Sequence, residues 1–199
     1  MLDALARHDL RATFFVTGEH VRKRPELARR IVADGHVIAN HTYTHPQPVR
    51  GSVPFGPFDD LSSSVKTQQI EDTSRAIRDV TGVRPCFFRG PGGSHVADST
   101  GRLARSQGMS VVHWSHDTLD YRTPAVLDQA FQSSIVRRAT IPYSKHPIVL
   151  LHDAKASAEP EREYSSYRGN TAAAIDGIAA FYRARGHAFT DPAGKILGR

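Results

Sequence analysis

Four short segments of this 199-residue chain carry side chains suited to chemistry. His41-Thr42-Tyr43-Thr44-His45 sets two imidazoles four positions apart. On a helical turn that spacing puts both rings on one face, where they can reach one metal ion. Imidazole suits zinc, and a catalytic zinc takes three protein ligands and a water. The chain has 11 histidines, so a close pair also arises by chance. In Arg89-Gly90-Pro91-Gly92-Gly93 the glycines let main chain approach a ligand, and N–H groups could face a developing oxyanion. A plain turn at a strand end is the simpler account. Trp114 to Tyr121 contains Asp117 and Asp120. A carboxylate there can orient and charge-stabilise a histidine, or cap a helix. His152 closes the most apolar run of the chain and is placed to act as a general acid, or to sit satisfied in a core.

The elements that must hold these groups alternate. Short apolar runs at 12–16, 37–40, 86–88, 110–114 and 147–151 read as buried strands. Amphipathic stretches at 25–33, 64–80, 98–106, 125–138 and 171–184 read as helices, several closed by glycine at 35, 82, 108 and 186. Residues 187–189 form a candidate last strand. Such alternation implies βαβ units and a mainly parallel sheet. His41, Arg89, Asp117 and His152 each follow a strand, which is where parallel α/β folds gather their sites. Residues 47–63, with three prolines and two glycines, read as a long loop flanking a groove; 154–169 reads as a second polar loop. Phe58-Asp59-Asp60 is read as loop and helix start.

Composition bounds the rest. The length suits one domain, and hydrophobic and charged fractions of 39% and 23% are those of a globular protein. No apolar run reaches the roughly 20 residues needed to span a bilayer, and residues 1–8 are no signal peptide. The net charge of +6 favours anionic partners, but the basic residues are scattered, with no basic stripe interleaved with aromatics, so nucleic acid is not expected as a partner. Arg22-Lys23-Arg24 and Arg29-Arg30 read as a solvated helix face. The lone Cys86 excludes an internal disulfide and is expected to be a buried, inert thiol.

Taken in order, the four segments resemble the polysaccharide deacetylase family, the NodB-homology domain of carbohydrate esterase family four. His41-Thr42-Tyr43-Thr44-His45 matches its His-Ser/Thr-x-x-His motif. Arg89-Gly90-Pro91-Gly92-Gly93 matches Arg-x-Pro-x-Gly. Asp117-Thr118-Leu119-Asp120-Tyr121 matches Asp-x-x-Asp-Trp, with tyrosine in place of tryptophan. Leu150-Leu151-His152 matches Leu-x-His. The resemblance covers essentially the whole chain and implies one α/β domain over 1–199, a distorted (β/α) barrel. The family opens with a strand ending in Thr-Phe-Asp-Asp-Gly, which supplies a general base and a third metal ligand. That segment belongs before Leu2, so the chain as written is read as missing its first strand, N-terminally incomplete and weak or inactive.

The resemblance implies a divalent metal, zinc in the first instance, with cobalt, nickel or manganese able to replace it. His41 and His45 would be ligands. His152 would protonate the leaving amine, oriented by Asp117. Arg89 would hold the base aspartate, Gly92 would offer its N–H to the oxyanion, and Tyr121 and Leu150 would line the acetyl pocket. The implied substrate is an acetylated amino-sugar polymer or oligomer, such as peptidoglycan or chitin. Relatives are mostly secreted or attached to the cell envelope. Two other readings stand beside it: a non-catalytic glycan-binding or remnant domain, and a hydrolase of a small cyclic amide on the same fold, favoured if residues 47–63 close the groove.

Overall fold

The computed structural model describes residues 1–46, 58, 61–93, 99–157, 159 and 165–196. These fall into two compact units, one drawn from Thr13–His113 with Ala156–Ala158, the other from Met1–Ala12, Trp114–Lys155 and Glu159–Arg199. Helix α1 (Leu2–Arg7) belongs to the second unit.

The first unit is built on a four-stranded, all-parallel sheet in the order β1 (Thr13–Val16), β2 (Val37–Asn40), β3 (Phe87–Phe88), β4 (Ser110–Val111). Helices α2 (Gly18–Lys23) and α3 (Pro25–Ala33) connect β1 to β2, α4 (Ser63–Thr81) leads to β3, and α5 (Ser99–Ser106) leads to β4. Side chains alternate across a strand. Phe88 accordingly joins a core with Phe58, Ile70, Ala104 and Met109, while Phe87 joins a second core with Ala39 and Val112. A parallel sheet buried on both faces needs such unbroken apolar runs.

The ends of these helices follow local chemistry. Pro25 opens α3, where its missing N–H costs nothing. The Ser62 hydroxyl accepts from Val65 N at the start of α4, and Gly82 ends α4 with φ 74°.

The second unit holds a two-stranded parallel pair, β5 (His116–Asp117) with β6 (Val149–Leu150), in the register His116↔Val149 and Asp117↔Leu150. Helices α6 (Gln129–Thr140) and α7 (Gly169–Arg183) pack through Ile135, Ala139, Ala174, Ile178 and Tyr182. Asn170, fully buried, accepts from Asp128 N and donates to Val126 O and Thr123 Oγ1, fixing the loop before α6.

Several expectations need correction. The apolar run 110–114 is not one strand: β4 ends at Val111, matching the two residues of β3, and β5 pairs elsewhere. Helix α6 starts at Gln129 rather than 125, because the Asp128 carboxylate accepts Phe131 N and caps it. Residues 187–189 form no strand; Thr190 makes an isolated antiparallel bridge with Ile196. Cys86 is exposed rather than buried: its carbonyl joins the sheet by accepting Ser110 N, but the apolar cores take Phe87 and Phe88 and not the thiol. The basic cluster is a solvated face with paired charges, including Lys23–Glu19 at 2.7 Å and Arg30–Asp34 at 3.1 Å. Of the loop read at 47–63, residues 47–57, 59 and 60 lie outside the described residues, as do 158 and 160–164 of the second loop. No described helix is long and apolar enough to cross a membrane.

Candidate active site

In the first unit, the histidine pair leaves the end of β2. Asn40, the last residue of that strand, is fully buried; its amide donates to Ile70 O and Ser74 Oγ, and its oxygen accepts Thr42 N at 3.0 Å. The His41 N–H continues the sheet ladder to Val16 O. The five residues do not form the helical turn that the spacing suggested. Thr42 and His45 have φ of 66° and 55°, a left-handed conformation that costs an L-residue about 1–2 kcal/mol. The loop nevertheless brings the two rings together, with centroids 4.7 Å apart and planes tilted by 57°.

His41 Nδ1 lies 2.6 Å from the carbonyl oxygen of Arg89. A carbonyl only accepts, so Nδ1 holds the proton and the lone pair of the neutral ring sits on Nε2. That is the form in which an imidazole ligates a metal. His41 is thus in the tautomer that ligates a divalent ion through Nε2. Among the described residues no cluster of three or more His, Cys, Asp or Glu forms a metal site.

The Arg89 side chain is buried. Its Nε donates to Val112 O at 3.1 Å, its Nη2 to His113 O at 3.4 Å, and the guanidinium lies 4.1 Å over the Phe15 ring. Burial pushes its pKa down to about 10, which leaves it cationic at neutral pH. Gly92 is exposed in a tight turn over Pro91–Gly93 with φ 61°, and Gly93 N closes that turn onto Gly90 O. The left-handed φ is one that glycine adopts without strain.

In the second unit, His152 follows β6 and is gripped twice by Asp120. Its backbone N–H donates to Oδ2 at 2.8 Å, and Nδ1 meets Oδ1 at 2.7 Å. The Asp120 carboxylate is fully buried and also accepts the hydroxyl of Thr171 (2.9 Å). Burial alone pushes the Asp120 carboxyl up. The hydrogen bonds and charge of His152, with the Thr171 hydroxyl, outweigh it and hold the group below its ordinary value. The carboxylate therefore fixes the proton of His152 on Nδ1 and turns Nε2 outward, on a side chain 34% exposed.

Sequence reasoning gave that orienting role to Asp117, and the structure gives it to Asp120. Asp117 lies in β5 and its Oδ1 accepts Leu119 N at 2.9 Å, supporting a turn in which Leu119 has φ 54°. The 3₁₀ turn Asp120–Arg122 instead carries Asp120 beneath His152. The Asp-x-x-Asp spacing named both carboxylates but not which one turns inward. The same turn sets the Tyr121 ring edge-on to His152, centroids 5.4 Å apart. Leu150 is buried in β6, and its carbonyl accepts Thr118 Oγ1 at 2.7 Å. Two residues that the sequence did not single out also take part: Gln69 of α4 reaches the histidine loop in the first unit, and Thr171 of α7 reaches Asp120 in the second; nothing in their local sequence marks them.

Comparison with known proteins agrees with these motifs. A family model for polysaccharide deacetylases matches residues 1–112. The chain is 33% identical over 192 residues to a chitooligosaccharide deacetylase of Sinorhizobium fredii, covering 94% of this chain and 79% of that one. It is 32% identical over 149 residues to a peptidoglycan-N-acetylglucosamine deacetylase of Bacillus cereus, covering 71% of this chain and half of that protein. A carbohydrate esterase family 4 pseudoenzyme from Bacillus anthracis superposes with a TM-score of 0.76 at 25% identity, over 99% of this chain and 59% of that one. The expected fold class, the distorted (β/α) barrel, comes with that likeness. By its motifs, its sequence relatives and its fold, the chain belongs to the polysaccharide deacetylase family.

Proposed function

We propose that this chain carries the hydrolytic machinery of a metal-dependent deacetylase that removes N-acetyl groups from an N-acetylglucosamine polymer or oligomer. The observation that carries the reading is the His152–Asp120 dyad. A domain that only bound glycan would have no use for a partly exposed imidazole whose Nδ1 is locked on a buried carboxylate.

His41 and His45 would hold the metal, with zinc the first choice for two imidazoles. Polarisation of the acetamide carbonyl and activation of a water are the chemistry such an ion supplies when bound. His152 delivers a proton from Nε2 to the departing nitrogen as the amide C–N bond breaks, so the products are acetate and a free amine. Asp120 holds that ring in one orientation through its two hydrogen bonds. The Gly92 N–H is the backbone donor assigned to the oxyanion. Tyr121, edge-on to His152, and Leu150 are the apolar walls assigned to the acetyl methyl group. The sequence relatives act on chitooligosaccharides and on peptidoglycan N-acetylglucosamine, by their names, which supports this substrate class.

The second reading, a non-catalytic glycan-binding role, is favoured by the likeness to the Bacillus anthracis pseudoenzyme. One experiment separates them: metal content and acetate release from an N-acetylglucosamine oligomer, measured on the full-length protein and its His152→Ala variant. Bound metal with acetate release that the variant loses supports the deacetylase. Retention of the oligomer with no acetate released overturns it.

A further inference from the structure

We propose that Gln69 of α4 is a positioning residue for the metal pair, latching the His41–His45 loop in its ligating shape. This rests on the reading of His41 and His45 as metal ligands. The loop does not choose its own conformation: it holds two non-glycine residues, Thr42 and His45, in the left-handed region. Its backbone is fixed from outside. The N–H groups of His41 and Thr42 go to Val16 O and Asn40 Oδ1, and the carbonyls of Thr42 and Tyr43 accept from Gly18 and Glu19 at the start of α2.

Gln69 supplies a further hold. Its Oε1 accepts both Tyr43 N (2.9 Å) and Thr44 N (3.0 Å), the two residues between the strained positions, and its Nε2 donates to Thr44 Oγ1 at 3.2 Å. Backbone N–H groups only donate, so the amide orientation is set by the loop itself. The hold is not local. Gln69 sits on a 19-residue helix anchored by Ile70, Ala76 and Ile77 in the core, so the latch transmits a rigid element's position to the ring pair. Without it, two adjacent N–H groups lose their acceptor and the left-handed turn loses its apex support. The separation of the two imidazoles then becomes variable, and a preorganised pair becomes two independent ligands.

The test is zinc affinity of the full-length protein, measured by competition with a chromophoric chelator, with the visible spectrum of the cobalt-loaded protein as a second readout. Gln69→Leu should weaken metal binding by about 10–100-fold, as loss of a group supporting metal ligands does, and should alter the cobalt spectrum. Gln69→Glu, whose carboxylate accepts the same two N–H groups, should restore affinity. Should Gln69→Leu fail to fold, Gln69→Asn keeps the amide but falls one methylene short, and should show the same loss. Wild-type affinity in folded Gln69→Leu or Gln69→Asn, with affinity lost in His41→Ala, overturns the latch while leaving the metal pair intact. Unchanged affinity in His41→Ala overturns the metal pair itself.

Discussion

Replacing Asp120 by asparagine tests the assignment of the acid directly. The carboxylate accepts three hydrogen bonds: His152 N and Thr171 Oγ1 on Oδ2, and His152 Nδ1 on Oδ1. An amide has one accepting oxygen. The His152 backbone N–H cannot rotate away, so the amide oxygen takes the place of Oδ2 and the NH₂ faces Nδ1. The protonated ring needed for acid catalysis then loses a charge-assisted hydrogen bond and meets a second donor. A charge-assisted bond is worth about 1.5–3 kcal/mol, and an unmatched buried donor costs a similar amount. Together these come to about 3–6 kcal/mol, and at about 1.4 kcal/mol per factor of ten kcat for acetate release should fall by about 10²–10⁴-fold. The shape of the side chain is kept, so KM should move little. Asp117→Asn is the control: an asparagine oxygen can still accept Leu119 N, and kcat should stay within about threefold. Wild-type kcat in Asp120→Asn together with a large loss in Asp117→Asn would refute the dyad and restore the reading drawn from spacing.

Three further outcomes follow from the geometry. Because the folded Asp120 carboxyl lies below its ordinary value, its contribution to stability is complete above a pH of about 4 and is lost as pH falls through the lowered pKa; urea unfolding as a function of pH should therefore steepen below about pH 4 in the wild type and less so in Asp120→Asn. Arg89→Met keeps bulk but leaves Val112 O and His113 O without the guanidinium and removes the stack on Phe15, so it should cost about 2–4 kcal/mol in denaturant unfolding; metal content should persist, because His41 is held by the main chain of residue 89. Gly18→Ala places a Cβ against the Tyr43 ring inside the histidine loop, so it should destabilise by about 1–3 kcal/mol and weaken zinc binding in the same chelator competition.

The elements were largely legible where a local signal starts or stops them. Helix α3 with Pro25, α4 with its glycine stop, and β1 and β2 as short apolar runs all lie where pattern places them. The failures share a cause. Residues 110–114 read as one strand because the apolar run is continuous, yet strand length was decided by the two-residue partner β3. The start of α6 moved because Asp128 caps while residues before it are tied to Asn170, distant in sequence. At the site, spacing named His41, His45 and His152, but nothing in Thr42 or His45 announces a positive φ. Choosing between Asp117 and Asp120 required the turn that only the folded chain displays.

The partner of each imidazole nitrogen sorts the histidines by role, and this is information that no motif carries. His41 gives its Nδ1 proton to a neutral carbonyl, that of Arg89. Such an acceptor fixes a tautomer without favouring a charge, which suits a ring that must stay neutral to ligate. His152 gives its Nδ1 proton to a buried carboxylate instead, the arrangement that orients a proposed proton donor. His116 is as polar and lies in β5 itself, but its Nε2 meets Pro142 O at 2.7 Å and its Nδ1 meets Ser115 Oγ at 2.8 Å. With both nitrogens engaged inside the protein, it has neither a lone pair nor a proton to offer a substrate, and it serves the fold. The surroundings of each ring, rather than the histidine itself, separate a prospective ligand from a prospective acid.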